Sequence, residues 1–166
     1  MKNKFFLLVF TAWLSSFSLR AQTAGSAPSF RVEGEVTTPL TLTLTDLDKM
    51  EKTTVQATDR QNKVHSYSGV LLATILKKAG ATLGEELKGE NLTKYLLLEA
   101  SDGYQVLFSL AEVDEAFSDK KIILANRMDG SWLKADQGPF QIIVEGEKKK
   151  ARHIRQVNRL QVYFAK

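Results

Sequence analysis

Apolar and polar residues alternate with a period of two over many short segments of this chain. The first segment is 30–36, and the second carries Leu40, Leu42 and Leu44 separated by threonines. Such alternation is typical of a β-strand with one buried face. Further strands are predicted at 53–57, 64–67, 95–99, 104–108, 121–125, 140–144 and 156–164.

Capping signals indicate short helices between some of these strands. Thr45, with an acidic residue three positions later, resembles a capping box for a helix that ends near Met50. Ser68 is predicted to cap a helix that ends at Gly80, and Ser109 a shorter one. Helices and strands do not alternate regularly. This favours an α+β fold with a mixed or antiparallel sheet over a doubly wound parallel sheet.

The first 21 residues have the layout of a secretory signal peptide. An apolar run begins at Phe5 after two lysines, and small residues follow from Ala21. Arg20 ends the run before it reaches the roughly 20 apolar residues of a membrane span. We expect a signal peptide over 1–21, a linker over 22–29 and one domain over 30–166. The mature protein is expected to be periplasmic or extracellular, with no membrane anchor.

Composition excludes several kinds of chemistry. The chain has 166 residues and no cysteine, which removes disulfides, thiol catalysis, iron–sulfur clusters and Cys-ligated zinc. The net charge is +4, but residues 22–166 hold 20 basic and 19 acidic residues. Nucleic-acid-binding domains usually carry a stronger basic bias, so we expect no nucleic-acid partner. The two histidines are far apart in sequence and predict no metal site.

Basic residues concentrate near the C-terminus, where residues 145–166 hold seven basic and two acidic residues. We interpret the lysines at 148–150 as a solvated strand edge. Two interpretations stay open for Arg152 and Arg155. They lie either on a solvated surface or in an anion site, since guanidinium groups bind phosphate and carboxylate in a fork.

Four segments, taken in order, carry a resemblance to a known family. They are Tyr67-Ser68-Gly69-Val70-Leu71-Leu72 with Ala79-Gly80, then Ala100-Ser101-Asp102-Gly103-Tyr104, then 133–144 with Asp136, Gly138 and Pro139, and finally Arg152 and Arg155 ahead of the closing strand. Together they resemble the molybdopterin-binding domain of the sulfite oxidase family over roughly 30–164. The resemblance implies the mixed-sheet α+β fold of that family, with a few short helices and a pterin-type pocket.

The departures from that family concern its metal. The resemblance implies a molybdenum-ligating cysteine near 57–60, where this chain has Ala-Thr-Asp-Arg. The family's histidine and a following arginine appear here as Gln137 and Gln141. A hard oxygen ligand does not replace a soft thiolate, so molybdenum is not expected and no cofactor is firmly implied. The start of the chain also lacks the arginine pair of the signal that exports loaded enzymes of this type.

Some small exported proteins of this fold bind a free pterin and report it to a membrane signalling protein. The resemblance implies the same ligand and partner here. A pterin requires an apolar or aromatic slot with a few polar groups. We expect these groups among Arg60, Ser101, Asp102, Tyr104, Arg127, Trp132 and Asp136.

Competing explanations exist for some of these residues and for the function. Tyr104 and Trp132 could serve core packing instead, and Asp102 could serve only its Asp-Gly turn. The whole chain could also be a molybdenum-cofactor-dependent oxidoreductase with an unusual metal ligand. A third alternative is a protein-interaction module whose pocket has decayed. The sequence leaves these three functions open.

Overall fold

The structure, a computed structural model, describes residues 27–59 and 61–165. The predicted signal peptide, most of the predicted linker and Arg60 lie outside the described residues. No helix within the described ranges is long and apolar enough to cross a bilayer.

Ten strands and three short α-helices make up the described part of the chain. The strands are β1 (Ser29–Gly34), β2 (Leu40–Thr43), β3 (Thr53–Thr58), β4 (Val64–Leu71), β5 (Lys94–Ala100), β6 (Gln105–Ser109), β7 (Ile122–Met128), β8 (Ser131–Trp132), β9 (Gln141–Val144) and β10 (Val157–Phe164). The helices are α1 (Leu44–Asp48), α2 (Leu72–Lys78) and α3 (Leu110–Val113). Single 3-10 turns occupy Gly84–Glu86, Gly89–Thr93 and Lys150–Arg152.

The first sheet has the strand order β2-β1-β10-β5-β6. β1 and β10 pair in parallel, so the first and last of the described strands are neighbours. The other pairs in this sheet are antiparallel. The predicted α+β fold with a mixed sheet is confirmed.

The second sheet runs β3-β4-β7, and β8 and β9 share the remaining edge of β7. These pairs are all antiparallel. β4 approaches β7 so closely at Gly69 that a Cβ there would overlap the carbonyl oxygen of Leu124. β9 also comes into contact with β3, although the two are not hydrogen-bonded. The sheet is therefore curled, with its two edges facing each other.

The main hydrophobic core joins the two sheets and the helices. An example is the contact of Phe30 on β1 with Phe140 just before β9, whose rings meet edge to face at 4.9 Å between centres. Both side chains are fully buried. Leu47, Ile75 and Leu110 bring the three helices to the same core.

A second, smaller cluster lies on the other face of the second sheet. Its buried members come from four strands and are Val55, Ala57, Tyr67, Ile123, Ala125 and Ile143. The curl of the sheet brings these side chains together, so strands such as β7 are buried on both faces. This explains why 122–125 is an unbroken apolar run rather than an alternating one.

The structure confirms one predicted helix cap and corrects two. The Ser109 hydroxyl accepts from the Glu112 amide in a full capping box for α3. The predicted cap at Thr45 is wrong, because Thr43 occupies that role and pairs with Asp46. Ser68 is not a cap either, since it lies in β4 between two partner strands.

Regular structure continues beyond the strand predicted at 121–125. β7 continues to Met128 and forms a hairpin with β8. Asp129 and Gly130 form its turn with positive φ values of 50° and 79°, as the Asp-Gly pair predicts.

Candidate functional site

A polar cleft of about 530 Å³ lies at one end of the curled second sheet. Because neighbouring strands there are antiparallel, β3 and β7 end at this edge while β4 and β9 begin at it. The lining residues are Thr58, Asp59, Gln61, Lys63, His65, Tyr67, Met128, Lys134, Asp136, Gln137, Gln141, Lys150, His153 and Arg155. Clefts of this size are common ligand sites.

One wall of the cleft is built around His65, which is buried at the start of β4. Its Nδ1 lies 2.6 Å from Asp129 Oδ2, and its Nε2 lies 3.1 Å from Asp59 Oδ2. Hydrogen bonds to Asp129 and Asp59 raise the pKa of His65 above its usual 6.5. We call these three residues the His65 clasp.

The two carboxylates of the clasp also bind backbone amides. Asp59 Oδ1 accepts from the amides of Gln61 and Lys63 at 2.8 and 2.9 Å. Asp129 Oδ1 accepts from the amide of Ser66 at 2.9 Å. The clasp therefore ties the β3–β4 turn to the β7–β8 turn, and both carboxyl groups have lowered pKa values.

The opposite wall is formed by the loop before β9 and the segment before β10. Gln156 joins the two, donating its amide to Gln137 O at 3.0 Å and its side chain to Ala135 O at 2.9 Å. Arg155 Nη1 lies 3.4 Å from Asp136 Oδ2 at the exposed rim. Burial lowers the pKa of His153 on the same wall.

Two glutamines of the cleft have side-chain oxygens without a partner. Gln137 Oε1 and Gln141 Oε1 are buried and accept no hydrogen bond from the described residues. Gln141 as a whole is only 4% exposed. Buried polar atoms are nearly always hydrogen-bonded in folded proteins, so these two indicate hydrogen-bonding capacity that the described fold does not use.

The charge of the lining favours an anion. Lys63, Lys134, Lys150 and Arg155 line the cleft together with the two carboxylates of Asp59 and Asp136. Tyr67 and Met128 add apolar surface to this otherwise polar site. The arrangement suits a small polar ligand with an anionic group.

Of the residues predicted for the site, the structure places Asp136 in the cleft. The Ser101 hydroxyl donates to Gln156 Oε1 and the Tyr104 hydroxyl donates to Ala151 O, each at 3.0 Å. Both acceptors belong to the segment before β10, which forms the opposite wall. Asp102 accepts from the Tyr104 amide at 3.0 Å, which is the local turn interaction named as its alternative role. The exposed position of Tyr104 argues against core packing.

Arg127 and Trp132 form a separate group outside the cleft lining. The Arg127 guanidinium lies 3.8 Å from the centre of the Trp132 ring, and 3.7 Å from Asp48 at the end of α1. Trp132 is half exposed, so it is not a core residue. Arg60 lies outside the described residues.

The structure separates the two arginines that the sequence considered together. Arg152 binds Glu112 at 3.0 Å and Glu147 at 2.6 Å, and its guanidinium lies 4.6 Å from the centre of the Phe108 ring. Protein carboxylates engage its guanidinium group, so Arg155 is the one of these two arginines that lines the cleft.

His65 and His153 are cleft residues that the sequence did not predict. The acidic partners of His65 lie 6 and 64 positions away in the chain. The position of Asp59 could have indicated this site, because Asp59 falls within the segment 57–60 where the resemblance implies a metal ligand. Gln137 and Gln141 likewise fall at positions where the family was expected to use charged side chains.

The donor set does not fit a thiolate-ligated molybdenum centre. The chain has no cysteine. Among residues 27–59 and 61–165, no three His, Asp or Glu side chains are placed to hold a metal ion. The partnerless carboxamide oxygens do fit the hydrogen-bonding edge of an organic ligand.

Comparisons with known proteins agree with the fold. A family model described as oxidoreductase molybdopterin binding domain matches residues 22–164. No curated protein matches the chain. Among solved structures it is similar to the sulfane dehydrogenase SoxCD from Paracoccus pantotrophus, with a TM-score of 0.63 and 23% identity. The match covers 81% of this chain and 38% of that one, and at this identity it shows the fold alone.

Proposed function

The chain belongs to the family of oxidoreductase molybdopterin-binding domains, and we propose that it binds a pterin-like small molecule without the metal. In this proposal it is an exported, non-redox protein whose ligand occupies the cleft. Its binding serves sensing or signalling to a partner, for which a membrane signalling protein is the expected class. The carrying observation is a polar cleft with unused hydrogen-bonding groups in a chain that lacks any thiol.

The cleft supplies the groups that a pterin derivative needs. The unused carboxamides of Gln137 and Gln141 suit a ring edge that carries N–H groups. Tyr67 provides an aromatic surface, and Arg155 and Lys134 provide positive charge for an anionic substituent. Asp136 holds Arg155 at the rim, 3.4 Å away.

The first experiment measures metal content and ligand binding on the protein purified after export. We expect no stoichiometric molybdenum by elemental analysis. We also expect a rise in melting temperature with added pterin. A ligand at about 100 times its Kd stabilises the folded state by about 2.7 kcal/mol. Stoichiometric molybdenum would replace this proposal with the oxidoreductase alternative.

A matched pair of arginine variants locates the site. Arg155→Ala removes a guanidinium that lines the cleft, and we expect it to weaken binding of pterin-6-carboxylate. Arg31→Ala removes an exposed arginine on β1 in the first sheet, and binding should not change. Asp102→Ala should leave binding unchanged as well, because Asp102 contacts its own turn. Equal binding by wild type and Arg155→Ala would argue against the cleft as the site.

A further inference from the structure

The side-chain oxygens of Gln137 and Gln141 have no hydrogen-bond partner among residues 27–59 and 61–165, although their backbones do. Gln141 pairs with Ala125 across β7 and β9. The Gln137 amide donates to Lys134 O at 2.9 Å, and its carbonyl accepts from the Gln156 amide at 3.0 Å. The main chain at both positions is therefore fixed without help from the side chains.

An unpaired buried carboxamide weakens a folded protein. Its oxygen loses its hydrogen bonds to water on folding and gains nothing in return. An apolar side chain of similar length avoids that loss, and Met fills irregular space well. Two such glutamines in one cleft are costly to the fold alone, and a ligand that completes their hydrogen bonds removes the cost.

We propose that Gln137 and Gln141 are the ligand-reading pair of the cleft, and that they bind the uncharged, N–H-bearing edge of a planar heterocycle. This inference deepens the proposed function and rests on it. In this inference the two glutamines determine which ligand binds, whereas the cations of the cleft only attract an anionic substituent.

The chemistry of a carboxamide sets the class of ligand. Each side chain offers a carbonyl acceptor and an amino donor, and rotation of the amide group exchanges their places. A ring edge that alternates N–H groups with ring nitrogen or carbonyl oxygen can pair with either arrangement. A carboxylate edge offers only acceptors and leaves the glutamine oxygens unpaired. The ammonium and guanidinium groups of Lys134, Lys150 and Arg155 are available to such a carboxylate instead.

The test combines stability with binding, because the proposal expects them to move in opposite directions. We expect Gln141→Met to raise the melting temperature by about 2–4 °C, a shift in the range of small stabilising changes for a domain of this size. The same variant should bind pterin about tenfold more weakly, which corresponds to the loss of one good hydrogen bond. Gln137→Met should change both quantities in the same directions.

Two controls accompany these variants. Gln56→Met replaces an exposed glutamine on β3 that does not line the cleft, and it should change neither quantity. Unsubstituted pteridine, which lacks N–H groups, should bind wild type and Gln141→Met equally weakly.

The outcomes separate this inference from the proposed function. If wild type binds pterin and both cleft variants bind it equally well, the inference is overturned and the proposed function stands. A lower melting temperature in both variants with unchanged binding shows a structural role and also overturns it. If wild type itself binds no pterin, the proposed function fails and the inference fails with it.

Discussion

The imidazole of His65 faces a carboxylate on each side, and this determines its charge. A neutral imidazole has one N–H group, so its other nitrogen would turn a lone pair toward an anion. The protonated ring donates to both Asp129 and Asp59, at 2.6 and 3.1 Å. The raised pKa of His65 agrees with this geometry. In its protonated form the clasp holds two turns of the cleft wall together.

The clasp predicts a specific dependence of stability on pH. Because the pKa of His65 is higher in the folded state than its usual 6.5, protonation favours folding. This contribution is fully present below about pH 6.5, the usual pKa of histidine. It is lost as the pH rises through the folded pKa. We expect the difference in melting temperature between wild type and His65→Gln to shrink over that interval.

His153 provides an internal comparison with the opposite sign. Burial lowers its pKa below 6.5, so the neutral imidazole contributes to folding stability at neutral pH. That stability is lost as the pH falls through the unfolded and folded pKa values. The melting temperature of His65→Gln should therefore differ most from that of wild type at the acidic end of the range from pH 4 to 9. The melting temperature of His153→Gln should differ most at the basic end. Identical pH profiles for the two variants would rule out the clasp as described.

At the level of single residues, the sequence predicted little of the cleft. Asp136 was found because it lies in a recognisable motif, and it lines the cleft. His65 was missed because its partners come from two different turns. Asp102 was predicted as a site residue because of its strong Asp-Gly turn pattern. Its carboxylate accepts a hydrogen bond from the Tyr104 amide of that same turn.

At the scale of elements, α1 shows how a cap decides where a short helix begins. The helix has five residues, and isolated helices of that length are not stable by themselves. The Thr43 hydroxyl accepts from the Asp46 amide at 3.2 Å, while the Asp46 carboxylate accepts from the Thr43 amide at 3.0 Å. Thr43 is the first threonine that can complete both bonds, so it becomes the cap and the helix begins at Leu44.

Two threonines of this region allow a matched test. We expect Thr43→Ala to lower the free energy of unfolding by about 1 kcal/mol, the usual loss for a cap. Thr45→Ala changes an exposed residue inside the helix, and should change stability by less than about 0.5 kcal/mol. Urea denaturation of both variants measures the difference. A larger loss for Thr45→Ala would restore the sequence-based assignment of the cap.

Strands were predicted better than caps because alternation reports burial directly. β1 has one buried face, and its alternating pattern identified it. The extent of β7 was underestimated, since its last residues pair with a strand of only two residues. Ser68 looked like a cap because the local sequence does not show that two strands flank it.

At the scale of the whole molecule, a single core connects the two sheets. Phe30 belongs to the first sheet and Phe140 leads into the second, and their rings are in contact. The motif order in the sequence predicted this family of folds, and the match over residues 22–164 confirms it. The curl of the second sheet could not be predicted, because it depends on the approach of β3 to β9 without hydrogen bonds.

The contact between the sheets predicts a large effect of one truncation. Phe140→Ala should lower the free energy of unfolding by about 3–5 kcal/mol, as expected for a fully buried phenylalanine. Phe117→Ala removes a ring that is 51% exposed, and should cost less than about 1 kcal/mol. Denaturation followed by two spectroscopic probes should give coincident transitions in both variants. Separate transitions for the two sheets would contradict a shared core.

The parallel pairing of β1 with β10 also constrains the order in which the molecule can assemble. β10 lies in the middle of its sheet, between β1 and β5, yet it is the last of the five strands to be synthesised. Until Val157–Phe164 has emerged, β1 has no parallel neighbour and β5 lacks one of its two partners. A chain released N-terminus first, from a ribosome or through a translocation channel, therefore completes this sheet only after β10 has emerged.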